Sequence, residues 1–391
     1  MDKDDDSKRI KKQAVVNSKT STFNNLGRTP VLDIEGFKTE GLSEEDSIAL
    51  KDIKQYQVVS GDEVKAAFTN EKERTKIIQA RLNSLHAGYS VPAHTDFSGL
   101  VLSGRELEYI RFTENTLKYT KIRETKLRGA VFKGCDLSGA DFRKSDLSNV
   151  VFDNCNLNGA DFRYCNLSNA RIVDSNLFAI NLDHSTLDQA VIDSCTMGAQ
   201  SFYKTSCKSL KLSNSHINHG FLDSANLVGA DIQNVVFREC TLTNTHFNQA
   251  TLNECYFRAC DSLQEGPVFS DCVMHHIVMR DCEFTELQME HMQMFHSRIE
   301  RVAFNAALFE GAVFNHVVFD HGQMKDCYSL EQAPTFSQCR LEHITIDHAE
   351  FSNAHFNQSA FIDATIIVSD MSQWDMNNTD IDASTTINDD G

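Results

Sequence analysis

Between Arg128 and Ala170 a large apolar residue falls at every fifth position: Phe132, Leu137, Phe142, Leu147, Phe152, Leu157, Phe162 and Leu167. Two residues before each stands a smaller one: Ala130, Cys135, Ala140, Ser145, Val150, Cys155, Ala160 and Cys165. A period of five is neither the 3.6 of a helix nor the 2 of a strand. A chain with this period must turn at fixed short intervals, and it can bury its apolar face only by stacking one turn on the next.

The register begins at Phe97 and holds to Phe257, and of its 33 positions only Cys207 is not a large apolar residue. It slips at Cys260, resumes at Phe269 and runs to Met324, then slips again and resumes at Phe336, reaching Ile381. The two slips share the skeleton Cys-x-Ser-Leu-x-x-x-Pro-x-Phe and lie 67 residues apart. Each reads either as a protruding loop or as a pair of widened corners with Leu263 and Leu330 turned inward. The repetition marks a duplicated joint.

Placing the large residue (position i) and the small one (i−2) inside leaves three positions to water, and these are polar, as at Asp136, Asp141, Arg143 and Arg163. Four such pentads make a squarish coil of about 20 residues, and coils stack at about 4.8 Å. Leu117, Leu137, Leu157 and Leu177 then form one column, and Phe112, Phe132, Phe152 and Ile172 another. The whole repeat predicts roughly 14 coils and a rod of about 65 Å.

Ala140-Asp-Phe142, Ala160-Asp-Phe162, Ala225-Asn-Leu227 and Ala230-Asp-Ile232 carry the A(D/N)LxX motif, with looser copies such as Cys155-Asn-Leu157 between them. In these residues the chain resembles the pentapeptide-repeat family over about residues 95–383. The resemblance implies an all-β solenoid, a right-handed quadrilateral β-helix. Beyond about residue 267 Ile277, Leu287 and Met292 take the place of the small residue, which predicts a distorted or wider coil there.

The expected organisation is a polar leader over 1–40, a small α-helical cap over 41–92, a regular β-helix over 93–260, and a less regular acidic one over 261–383. Joints fall at 260–269 and 327–336, and 384–391 form a tail. The cap is read from Ser43 with its following acids, and from a helical stripe after Asp62 that Gly88 ends.

Residues 261–391 carry a net charge of −17, almost all of the chain's −18. That argues against nucleic-acid binding, which needs Lys and Arg to displace counterions, and admits basic protein partners. No apolar run approaches the ~18–20 residues of a membrane span. Of the 12 cysteines, 11 fall at i−2 and Cys207 at i; they read as small core fillers, in a chain folded under reducing conditions. His276, His296 and His316, twenty residues apart, should stack on one outer face about 5 Å from one another, with His291 and His321 on adjoining faces. A ladder of this kind could bind a metal or switch a surface near pH 6; a solvated polar face is the simpler reading. No nucleophile motif, phosphate loop or metal-protease signature is present. We therefore expect no enzymatic activity, no catalytic or cofactor-binding residues, no metal and no cofactor.

The resemblance extends to secreted pentapeptide-repeat effectors of enteric bacteria, which implies a non-enzymatic protein-binding scaffold. It would be made in the bacterial cytoplasm, exported by a type III-like route and directed at host-cell proteins. The alternative implied is a DNA mimic that binds and protects gyrase, a type II topoisomerase, as fluoroquinolone-resistance members of the family do. The residues expected to meet a partner are Leu263, Gln264, Glu265, Leu330, Glu331 and Gln332 at the joints, with His276, His296 and His316.

Overall fold

A computed structural model describes residues 87–368 and 371–389. The expected leader, and the α-helical cap up to residue 86, lie outside the described residues. The last cap positions, 87–92, are not helical: Tyr89 O accepts from Arg111 N at 2.9 Å, and Ser90 pairs with Arg111 as the first rung of the coil.

The described chain is an all-β solenoid. Three-residue strands pair in parallel with the strand one coil on, and the register is twenty residues. One column runs Phe112, Phe132, Phe152, Ile172, Ile192, Leu212, Ile232, Leu252, Met274, Met294, Phe314, Phe336, Phe356. We call the face carrying it the first, and number the others along the chain. The second carries Met197, Ile217, Phe237, Phe257 and Met279. The third carries Phe284, Phe304, Met324 and Ile346. The fourth runs through Phe247, Phe269, Met289 and Phe309, by the bridges of the residues before them.

Residue i+2 of nearly every pentad has positive φ, as at Lys144, Asn149, Asn154 and Tyr164. Where an N–H also folds back across the corner, as from Ala140 N to Leu137 O at 3.0 Å, the turn has the signature of type II, with Gly139 at its left-handed position. A left-handed L-residue costs about 1–2 kcal/mol, so repeating it along the coil requires compensation. The ladder supplies it: Lys144 N donates to Arg163 O at 3.1 Å and Asn154 N to Val173 O at 3.1 Å, one coil on.

The interior is filled by side chains. Phe142 stacks on Phe162 with ring centroids 4.8 Å apart, and meets Phe132 and Phe152 edge-on at 6.3 and 6.1 Å. All 12 cysteines are buried and free. Ten of their thiols donate to carbonyls of the preceding coil, as Cys165 Sγ does to Phe142 O at 2.9 Å; burial pushes Cys165 and Cys272 up to about 12. Such thiols are protonated fillers, not nucleophiles.

Beyond residue 267 the predicted distortion of register does not occur. Ile277, Leu287 and Met292 are fully buried at the small-residue position, and the ladder continues from Val273 to Gln293 to Val313 in steps of twenty. It also crosses 260–269 unbroken, pairing Leu252 with Met274 and Phe257 with Met279. The segment 384–389 is not a free tail, because Thr386–Asp389 pairs in parallel with Thr365–Val368. Trp374, 6% exposed, packs its ring 5.2 Å from Phe356 near this end.

Candidate protein-binding site

Counting twenty forward from Leu242 and from Phe309 lands on Ser262 and Ser329, and both serines take the inward position. The leucines after them point out: Leu263 is 60% exposed and Leu330 is 67% exposed. The reading with both leucines turned inward is therefore corrected. Each joint is a protruding corner that adds two residues to one coil, so registers across it step by 22. A small residue suits a point where the chain departs from the coil. Over Ser329 the rings of Phe309 and Phe351, from the coils on either side, close to 5.4 Å between centroids and take the space a large residue would need.

The two joints share a skeleton of bonds. Leu263 N donates to Thr243 Oγ1 at 3.2 Å, and Asn244 N to Glu265 O at 2.9 Å. At the corresponding places of the second joint Leu330 N donates to Glu310 Oε2 at 2.5 Å, and Gly311 N to Gln332 O at 2.9 Å. Glu310 goes further than Thr243, because its carboxylate also accepts from Glu331 N and Gln332 N. Three backbone donors thus converge on one buried anion. Burial alone would raise the Glu310 pKa, but the bonds from Leu330, Gln332 and Glu331 outweigh it and hold the carboxyl below its ordinary 4.5.

Glu310→Gln keeps the shape and removes the charge. We expect it to cost about 1–2 kcal/mol at pH 7, since charge-assisted bonds exceed neutral ones. A lowered carboxylate pKa contributes stability that is complete above the ordinary value and is lost as pH falls through the lowered one. Chemical denaturation across pH 3–7 should therefore show wild type and variant converging at the acid end. A gap that stays constant with pH would show that the charge is not what holds the joint.

The joints stand at the two edges of the fourth face: the first on the corner between the third and fourth faces, the second on the corner between the fourth and first. Leu263, Gln264 and Glu265 are exposed on one, Leu330, Glu331 and Gln332 on the other. His276, His296 and His316 are exposed and form the expected ladder, with ring centroids 5.7 and 4.8 Å apart. They lie on the corner between the first and second faces, so the structure does not place them with both joints on one surface. His291 does meet the second joint: it underlies Gly311, on which Gln332 sits.

Sequence reasoning missed Thr243 and Glu310, which hold the joints. Their signal was the same 67-residue spacing that related the joints themselves. It also missed how the carboxylates toward the far end are partnered. After Arg340 the sequence has ten Asp and Glu and no Lys or Arg. Histidine stands beside several of these carboxylates: His348 Nδ1 is 2.6 Å from Asp347, and His355 Nδ1 is 3.5 Å from Asp375. Among the described residues one trio, Asp320, His321 and His343, has ligating atoms all within 4.8 Å of one another, and could hold a metal ion.

The sequence profile described as "Pentapeptide repeat region" matches residues 145–222, and that of "Pentapeptide repeats (8 copies)" matches 95–134, 205–244 and 222–258. The chain belongs to the pentapeptide-repeat family. Solved structures are similar to the chain at low identity. HetL, a pentapeptide-repeat protein involved in heterocyst differentiation regulation from Nostoc sp. strain PCC 7120, is 17% identical, with 61% of this chain and 91% of that one covered and a TM-score of 0.32. Rfr23 of the cyanobacterium Cyanothece 51142 is 16% identical, covering 32% of this chain and 98% of its own, with a TM-score of 0.27. QnrB1, a plasmid-mediated fluoroquinolone resistance protein, is 17% identical, covering 44% and 83%, with a TM-score of 0.30. No curated protein sequence matches the chain. Among the described residues no helix is long and apolar enough to cross a membrane.

Proposed function

We propose that this pentapeptide-repeat protein is a non-catalytic scaffold that binds a basic protein partner through its joints and its acidic end. The observation that carries this reading is the pair of exposed leucines, Leu263 and Leu330, held outward on corners whose backbone is fixed by hydrogen bonds. An apolar side chain kept in water on a rigid corner offers a contact with little ordering cost, and irregular corners of a regular scaffold are where recognition concentrates. The acidic end supplies the field that draws a basic partner. The partner we infer is a host-cell protein met after export from a bacterium, in line with the resemblance to secreted effectors.

The test is a paired pull-down with the full chain from host-cell and bacterial lysates, repeated with Leu263→Asp/Leu330→Asp. A partner enriched from host lysate and lost with the double variant is expected. Capture that the double variant leaves unchanged would overturn the assignment to the joints. Fusing the first ~30 residues to a translocation reporter tests export separately; no delivery by a type III-competent strain counts against the effector reading.

A second reading rests on the acidic end alone: ten carboxylates without a Lys or Arg after Arg340 suit a surface that imitates DNA before gyrase. A supercoiling assay with and without the protein separates the two, and unchanged gyrase activity and drug poisoning would remove this reading.

A further inference from the structure

We propose that Asp320, His321 and His343 form a divalent-metal site, suited to Zn²⁺, that staples two successive coils across the second joint. This assignment is independent of any protein partner. His321 and His343 occupy left-handed corner positions one coil apart, with φ of 53° and 51°. Their rings stack with centroids 4.3 Å apart, and both present Nδ1 to the same oxygen. Asp320 Oδ1 lies 2.6 Å from His321 Nδ1 and 3.3 Å from His343 Nδ1. Ligands at about 2.0–2.2 Å from a tetrahedral zinc ion stand roughly 3.3 Å apart. Of the two edges that meet at Oδ1, the one to His343 already has that length, and the one to His321 must open by about 0.7 Å as the shared proton gives way to the ion.

The carboxylate is held for the purpose. Asp320 is largely buried, and its Oδ2 accepts from Arg298 Nη2 at 2.5 Å, which leaves Oδ1 facing the imidazoles. The nearby cations are occupied: Arg298 also lies 3.6 Å from Glu300, and Arg301, one coil before His321, is bonded to Asp281 and Glu300. On the far side of His343, Asp363 Oδ2 is 3.9 Å from Nε2. At that distance the carboxylate acts on the imidazole through its charge and not through a hydrogen bond. Two imidazoles and one carboxylate suit Zn²⁺, Co²⁺ or Ni²⁺ rather than the all-oxygen preference of Ca²⁺ or Mg²⁺. Water would complete the sphere on the exposed side. The His276, His296 and His316 ladder lacks this pattern, since no ligating carboxylate joins it in a trio within reach.

The chain between His321 and His343 is the coil that contains Leu330, Glu331 and Gln332. An ion bound to both histidines would close that coil on itself and fix the joint.

The test uses the full chain, freed of metal with a chelator and titrated with Zn²⁺ by calorimetry. Co²⁺ serves as an optical probe of tetrahedral nitrogen–oxygen ligation. One site per chain is expected, with slowed hydrogen exchange over 321–343. His321→Gln and His343→Gln should each abolish binding, and Asp363→Asn should weaken it by far less than either. The triple variant His276→Gln/His296→Gln/His316→Gln should bind as wild type does. Circular dichroism checks the fold of each variant, and Asp320→Asn, which keeps the shape of the third ligand and should also abolish binding, decides the matter if a histidine variant fails to fold. No Zn²⁺ binding by wild type at millimolar ion, or binding unchanged by His343→Gln, overturns the proposal.

Discussion

Phe142→Ala is expected to destabilise the coil by about 3–5 kcal/mol, the cost of removing a fully packed aromatic ring. The ring is fully buried, stacks on Phe162 at 4.8 Å and has edge contacts with Phe132 and Phe152. The cavity cannot collapse readily, because coil spacing is set by the backbone ladder and not by the side chains. Asp141 N to Thr120 O at 2.9 Å and Phe142 N to Asp161 O at 2.8 Å fix this pentad between its neighbours. Urea denaturation followed by far-UV circular dichroism reads the loss. The chain has 1 Trp, and Trp374 lies near the far end of the described coil, so its fluorescence gives a distant second probe. If the coil unfolds as a unit, both probes shift together. If it behaves as coupled nearest-neighbour repeats, only the dichroism responds fully. A loss below about 1 kcal/mol by both probes would contradict a packed aromatic column.

The coil was legible in the sequence because its physics is local and repeated. A large residue every fifth position can face inward only if the chain turns every fifth residue, so Phe112, Phe132 and Phe152 had to stack as they do. The cysteines followed from the same register. The joints were legible as places but not as shapes, because apolarity favoured Leu263 and Leu330 for the interior. The competing demand was for a small residue where the chain leaves the coil, and Ser262 and Ser329 met it. The Asp320, His321 and His343 trio was hidden by the same feature. His343 lies 22 residues after His321, and falls above it only once the joint is counted as two extra residues. Glu310 was invisible for another reason: three backbone donors converging on one carboxylate have no sequence pattern of their own.

Gly266→Val should be the most damaging single change within a joint, at or above the upper end of the roughly 1–3 kcal/mol range for overpacking. A side chain on Gly266 would place its first carbon 2.5 Å from Leu287 N, 2.5 Å from Thr285 O and 2.6 Å from Leu287 Cα. These are backbone atoms of the next coil, tied into the parallel ladder, and they cannot swing aside as a side-chain tip can. The first joint is thus seated on the coil through a bare backbone, whereas the second carries Ala333 at the matching position and is held by Glu310 instead. Gly159→Asn is the matched control. Its φ is +66° with nothing within 4 Å, and Asn149 and Asn169 already occupy equivalent corners. That change should stay within about 0.5 kcal/mol. Because Leu263, Gln264 and Glu265 immediately precede Gly266, lifting the backbone there should also shift the exposed leucine and weaken partner capture, while Leu330 stays in place. A Gly266→Val protein as stable as wild type would mean that the first joint is free of the coil beneath it. The leucine it carries would then be presented without the rigidity on which the binding proposal depends.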